Sequence, residues 1–254
     1  MEGTAPGPNR TGGSINPKGV ASMLEAVNDL SPRKPVSTLL MDIERQWYIT
    51  EAEAVGSVPP PIASPGGKGR KIKSTAASAS ASILLDKLGE RIAFERTGTR
   101  LYGAVITKYL ALANAGEVPL PPTEDGEPAL ETLRRIRSQE LQHFRMLSQC
   151  VQEMGGDPTA QTPCADVTAT ASSGLLQVVT DPRTTLAQSL NAVLTAELTD
   201  NAGWELLGEL AQLAGQSQLT KPFAEALAVE QEHLEIVEGW LRTLIAAAPG
   251  TSAV

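Results

Sequence analysis

The stretch "AVEQEHLEIVEGW" (residues 228–240) decides how this chain is read. Its apolar residues recur at helical spacing, so it forms one amphipathic helix. Yet Glu230 and His233, three residues apart, fall on its otherwise apolar side. A second stretch, "RSQELQHFRML" (residues 137–147), holds Glu140 and His143 at the same spacing. The chain has only 2 histidines, and each follows a glutamate at that distance.

The rest of the sequence supplies a helical setting for both pairs. Of 254 residues, 41% are hydrophobic and only 4% aromatic. Alanine and leucine dominate and β-branched runs are few, which favours helix over strand. From about residue 80 the periodicity is helical throughout. A first helix runs through "ILLDKLGERIAFERTGTRLYGAVITKYLALANAG" and ends at Gly116. A second follows Pro128 and stops at Gly155 and Gly156. A third enters after Asp181 and Pro182, and a fourth ends before Pro249 and Gly250. Short connections pair helices one with two and three with four as antiparallel hairpins. The stretch from helix two to helix three is long, with a short helix expected around residues 165–179. A connection of that length can run the length of a bundle and reverse the next helix. The expected fold is therefore all-α: a four-helix bundle over residues 80–247 with one long crossover, followed by a flexible tail at 248–254.

Residues 1–79 read differently, as a Gly/Pro/Ser-rich and largely irregular arm, because such segments cost much ordering entropy and bury little apolar surface. One island, "VSTLLMDIERQWYITEAEAVG", has near-helical spacing and is expected to form a short helix or strap. Such a strap is a candidate for homo-oligomer contacts. The basic cluster "KGRKIK" (residues 68–73) reads as solvated linker. The net charge of −8 disfavours a nucleic-acid partner. No apolar run is long enough for a bilayer, and no secretory signal opens the chain. Cys150 and Cys164 form no CxxC pair and read as reduced thiols, so the expected location is cytoplasmic.

The two Glu-x-x-His pairs gain meaning from the other two helices. Glu95 and Glu197 each lie on an apolar stripe, where a lone charge is costly to bury. Each has an aromatic residue seven positions later, Tyr102 and Trp204. The hairpins thus form a weak internal repeat. Residues at i and i+3 of a helix point the same way, so each pair offers an oxygen and a nitrogen to one small volume. Four carboxylates and two imidazoles suit two metal ions sharing bridging carboxylates, and two divalent ions cancel the charge of four carboxylates. Carboxylate with imidazole favours iron or manganese over structural zinc. With 29 acidic residues in the chain, both histidines follow an acid at this spacing by accident roughly once in a hundred.

The pattern resembles the ferritin-like di-iron carboxylate superfamily, which includes the ferritins and rubrerythrins. Its members carry a Glu on each of two helices and a Glu-x-x-His on each of the other two. The match is Glu95, then Glu140 and His143, then Glu197, then Glu230 and His233, in that order along the chain. The resemblance implies a ferritin-like bundle whose six side chains hold two iron ions, with two manganese ions as the alternative. It implies an oxidoreductase that activates dioxygen or peroxide, oxidase- or ferroxidase-like. Two other readings stand beside it: manganese catalase-like peroxide disproportionation, and a non-catalytic bundle for metal sequestration or assembly. By the same resemblance Tyr102 is the candidate catalytic residue, through hydrogen bonding or electron supply near the metals. Asp200, three after Glu197, is either a further ligand or a surface charge. Arg96 and Arg100 flank Glu95 as solvated charges or as partners of the carboxylates. Glu232 and Glu235 are expected on the outer side of the fourth helix.

Overall fold

The computed structural model describes residues 16–30, 37–52, 76–117 and 120–247. They are mostly helical, with no strand among the described residues. The seven α-helices are α1 (Pro17–Leu30), α2 (Leu39–Glu51), α3 (Ala76–Asn114), α4 (Ala129–Glu153), α5 (Pro163–Thr180), α6 (Leu186–Leu213) and α7 (Thr220–Ala246). No described helix is long and apolar enough to cross a membrane. The chain divides into two compact units, Met1–Ala54 and Val55–Val254. The basic cluster at 68–73 and the tail at 248–254 lie outside the described residues.

In the first unit, α2 falls within the island that the sequence marks as helical. α1 does not: it lies in the segment expected to be irregular. Its Val20, Met23, Leu24 and Val27 recur at helical spacing, so local periodicity overrides the Gly/Pro-rich composition around it. Met23, Leu24 and Val27 on α1, and Leu40, Ile43 and Trp47 on α2, are all more than half exposed.

In the second unit, hydrogen bonds and side-chain approaches fix the direction of each helix. Arg137 on α4 approaches Gly103 on α3, and Val151 and Leu85 both approach Gly156, so α4 runs antiparallel to α3. The Cys164 amide donates to Asp86 at 2.9 Å near the start of α3, and Lys108 donates to the Asp181 and Thr184 carbonyls near its end. Helix α5 therefore runs parallel to α3, carrying the chain back along it. Tyr102 meets Glu197, so α6 runs antiparallel to α3. Asn201 on α6 donates to the Glu230 carbonyl and Trp204 stacks near Phe223, so α7 returns antiparallel to α6. Helices α4 and α6 thus point one way, and α3, α5 and α7 the other.

Local chemistry sets the boundaries. Helix α6 begins at a capping box, in which Thr185 and Gln188 satisfy each other's backbone N–H groups. Asp181 and Pro182, expected to open this helix, instead close α5, whose own start is capped by Thr162 with Pro163 behind it. Gly155 and Gly215 take φ of 81° and 69° and let α4 and α6 end in tight left-handed caps.

The apolar interior comes in two clusters. One gathers around Leu101, Val105, Leu133, Ile136, Leu190 and Trp240. The other gathers around Leu84, Leu88, Leu147, Leu207, Trp204 and Phe223. Each fully buried leucine contributes about 1.5–3 kcal/mol. Along α3, α4, α6 and α7, the buried acids and histidines lie where these two clusters meet.

Candidate metal centre

Four helices supply the polar layer. Glu95 stands on α3, Glu140 and His143 on α4, Glu197 on α6, and Glu230 and His233 on α7. All six are buried, with exposures from 0% for Glu95, Glu230 and His233 to 8% for His143. The controls fall where expected: Glu232 and Glu235 on α7 are exposed, as are Arg96 and Arg100 on α3. Carboxylates are removed from water only with compensation, so the arrangement of their partners decides the chemistry.

Glu230 is the shared member. Its Oε1 lies 2.5 Å from His143 Nδ1 and its Oε2 lies 2.8 Å from His233 Nδ1. Around it, donor atoms fall into overlapping sets, each within 4.8 Å of one another. One set is Glu140, Glu197, Glu230 and His233; another is Glu95, His143 and Glu230. A third adds Asp200 to Glu95, Glu140 and Glu230. Asp200 is itself buried, and it forms an ion pair with Arg91 rather than lying on the surface.

Tyr102 is 1% exposed and donates its hydroxyl to Glu197 Oε1 at 2.5 Å. Burial and the surrounding carboxylates push its pKa well above the ordinary value, so it stays a neutral phenol. Its ring lies edge-on to His233, with centroids 6.4 Å apart. Trp204 stands in the same relation to His143, at 5.4 Å. Trp240 is more distant in role: it donates to the Pro121 carbonyl and pins the loop between α3 and α4 to α7.

Without a cation the cluster sorts protons internally. Burial and the Glu230 charge push Glu140 well above the usual carboxylate range. Burial also carries Glu197 up to about 8, against the pull of His233. Burial alone would raise Glu230, but the two imidazoles outweigh it and hold this carboxyl down to about 2. Burial would lower both histidines; the carboxylates beside them prevail, so His143 rises to about 9 and His233 also goes well up.

Two residues near the centre carry roles that the Glu-x-x-His pattern does not announce. Arg91, one turn before Glu95 on the same face, is 2% exposed and donates to Glu95 Oε1 at 2.8 Å. Its position on the stripe of Leu84, Leu88 and Glu95 was the available signal. Gln139 precedes Glu140, and its Oε1 lies 3.0 Å from His233 Nε2 while also accepting from Arg135. It turns the outer nitrogen of His233 into a fixed donor and leaves Nδ1 facing the carboxylates. No periodicity marks Gln139, because it reaches across from a neighbouring helix.

Gly98 shows how tightly the layer is packed. A Cβ there would overlap the Glu140 carboxylate. Glycine to alanine in a helix interior normally stabilises by about 1 kcal/mol. Here Gly98→Ala is expected to destabilise by roughly 1–3 kcal/mol through overpacking and to displace Glu140. Thermal melts, with and without added metal, measure both effects.

The residues fit a metal group on a direct observation. Seven buried side-chain atoms have no hydrogen-bond partner: Glu95 Oε2, His143 Nδ1, Glu197 Oε2 and Glu230 Oε1 among the six, with Arg91 Nε, Asp200 Oδ1 and Trp204 Nε1 beside them. Of these, His143 Nδ1 and Glu230 Oε1 face each other as an ion pair. Buried polar atoms are normally satisfied, and a carboxylate oxygen beside an imidazole nitrogen is a ready ligand pair. Neither cysteine joins any of the sets; both are free thiols. Compared with protein-family models, with curated proteins and with solved structures, the chain matches none.

Proposed function

We propose that this chain is a dinuclear-metal oxidoreductase with a ferritin-like four-helix bundle, activating dioxygen or peroxide at a pair of iron ions. The observation that carries the reading is the gathering of buried carboxylates and imidazoles from α3, α4, α6 and α7 around the shared Glu230, with Glu95 Oε2 and Glu197 Oε2 left without a hydrogen-bond partner. The helix directions support the fold. Two antiparallel hairpins, α3–α4 and α6–α7, are joined by α5, which returns along α3 so that α4 and α6 run the same way. Such directions support the expected connectivity with one long crossover.

In this reading Glu140, Glu197, Glu230 and His233 would hold one ion, and Glu95, His143 and Glu230 the other. Bound there, the iron pair supplies the electrons with which dioxygen or peroxide is reduced. The chain's own residues prepare that chemistry. Glu230 presents one oxygen to each half of the centre. Tyr102 keeps a proton on its hydroxyl and uses it to orient Glu197. Gln139 fixes the ring of His233. Trp204, edge-on to His143 and tilted against Phe223, would help keep bulk water from that side.

Elemental analysis of protein purified from its native host tests the reading, followed by oxygen-electrode measurements with dioxygen and with peroxide. Two irons per chain and dioxygen- or peroxide-dependent oxidation are the expected result. Two manganese ions with oxygen release from peroxide would replace it with the catalase-like reading. A folded, metal-free protein that takes up no added iron would leave only a helical scaffold.

A further inference from the structure

The two hairpins supply the same ligand types at the same spacing, but their neighbouring residues differ. Four residues before Glu197 stands Val193; four before Glu95 stands Arg91. One residue before Glu230 stands Val229; one before Glu140 stands Gln139. Three after Glu95 comes Gly98, and three after Glu197 comes Asp200. These departures all act on the balance between the two halves of the centre.

Resting on the dinuclear reading, we propose that Arg91 makes the two metal positions unequal. The one at Glu140, Glu197 and His233 fills first, and the one at Glu95 and His143 fills second and more weakly.

The argument begins with charge. Arg91 bonds to Glu95 Oε1 at 2.8 Å, so a cation beside Glu95 shares that carboxylate with a fixed positive charge. Like charges a few ångströms apart in a poorly screened interior repel strongly. The guanidinium has little freedom to withdraw. Its carbon lies 4.6 Å from the centre of the Phe94 ring and 5.7 Å from that of Trp204. Asp200 pairs with the same terminal nitrogen that meets Glu95, and the absence of a Cβ at Gly203 opens the space the guanidinium fills. Among the described residues no Lys or Arg forms an ion pair with Glu140 or Glu197.

Ligand supply and rigidity point the same way. Of the two donor sets that include an imidazole, the His233 set has three carboxylates and the His143 set two; the third set adds Asp200, already engaged by Arg91, to the Glu95 side. His233 is clamped through Nε2 by Gln139, which Arg135 holds in turn. The residue that corresponds to Gln139 in the other hairpin is Val229, which has no polar side-chain atom to offer. His143 is also the most exposed of the six donors: its side chain is 10% exposed, against 0–3% for Glu95, Glu140, Glu197, Glu230 and His233. The weaker position is therefore also the one nearer to solvent.

Anaerobic titration of the metal-free full chain with Co²⁺, followed by calorimetry and visible absorption, tests this. The wild type should bind in two steps separated by roughly tenfold or more in affinity. His143→Ala should lose only the weak step, and His233→Ala the tight one. Arg91→Gln combined with Asp200→Asn removes the ion pair as a unit without changing the local net charge. In that double variant the two steps should close to within about threefold. A wild type that fills both positions in one step overturns the proposal. So does loss of the tight step in His143→Ala, or an unchanged separation in the double variant. Should the double variant fail to fold, the two histidine variants still decide the order. A wild type that binds no Co²⁺ at all instead removes the dinuclear reading itself.

Discussion

Glu230→Gln is expected to abolish metal uptake at both positions and to destabilise the metal-free protein. Glu230 approaches both imidazoles and belongs to every donor set, so no position survives its loss intact. In the metal-free chain its carboxylate is the charged one, held down to about 2 by the two histidines. Removing one partner of a buried ion pair leaves the other uncompensated, at a cost on the order of 3 kcal/mol. For a chain of this size that lowers the melting temperature by roughly 6–12 °C. Glu140→Gln should behave differently. Burial and the Glu230 charge already favour its protonated form, so an amide there replaces a near-neutral group. The metal-free melting temperature should stay level or rise, while metal binding is still lost. Melts of both variants, with and without iron, check the contrast; equal destabilisation of the two metal-free variants would contradict the assignment of the charge to Glu230.

The second large effect is on pH dependence. Glu197 has a folded pKa of about 8 against an ordinary 4.5, so between those values the folded chain holds a proton that the unfolded chain has lost. His143, raised from 6.5 to about 9, extends the same imbalance upward. Where the folded state binds more protons, stability falls as pH rises. The metal-free protein should therefore lose melting temperature continuously from pH 5 to pH 9, by at least about 5 °C. Glu230 has the opposite sign, but its contribution is lost only below 4.5, outside this window. Metal ligation needs the imidazoles neutral and the carboxylates ionised, so the loaded protein should not share the decline. The gap between the two curves should widen steadily with pH. Calorimetric scans in a pH series measure it, and a metal-free curve that is flat or rising between pH 5 and pH 8 would refute the proton distribution.

Much of this arrangement was legible in the residues. The helices α3 to α7 follow from apolar spacing punctuated by Pro128 and Gly155, although the start of α6, which Asp181 and Pro182 suggest, is set instead by the Thr185–Gln188 cap. The six donors could be singled out because charge on an apolar stripe is costly and therefore conspicuous. What stayed hidden has two physical causes. In α1 and the first turns of α3, the local helical preference was masked by Gly-, Pro- and Ser-rich surroundings. Gln139 and Asp200 act across helices, on His233 and Arg91, and a one-dimensional pattern carries no record of which residues on different helices meet. Arg91 falls between these cases: its stripe was visible, but its pairing with Asp200 was not.

The helix directions and ring contacts carry one more consequence. Because α5 reverses the chain, a half-turn about an axis across the helices carries one hairpin approximately onto the other. It takes Glu95 to Glu197, the α4 pair to the α7 pair, and the Tyr102 edge on His233 to the Trp204 edge on His143. The protein thus presents an approximate dyad whose inner shell is duplicated and whose outer shell has diverged. The buried cluster therefore has two unlike ends, a phenol edge-on to one imidazole and an indole edge-on to the other.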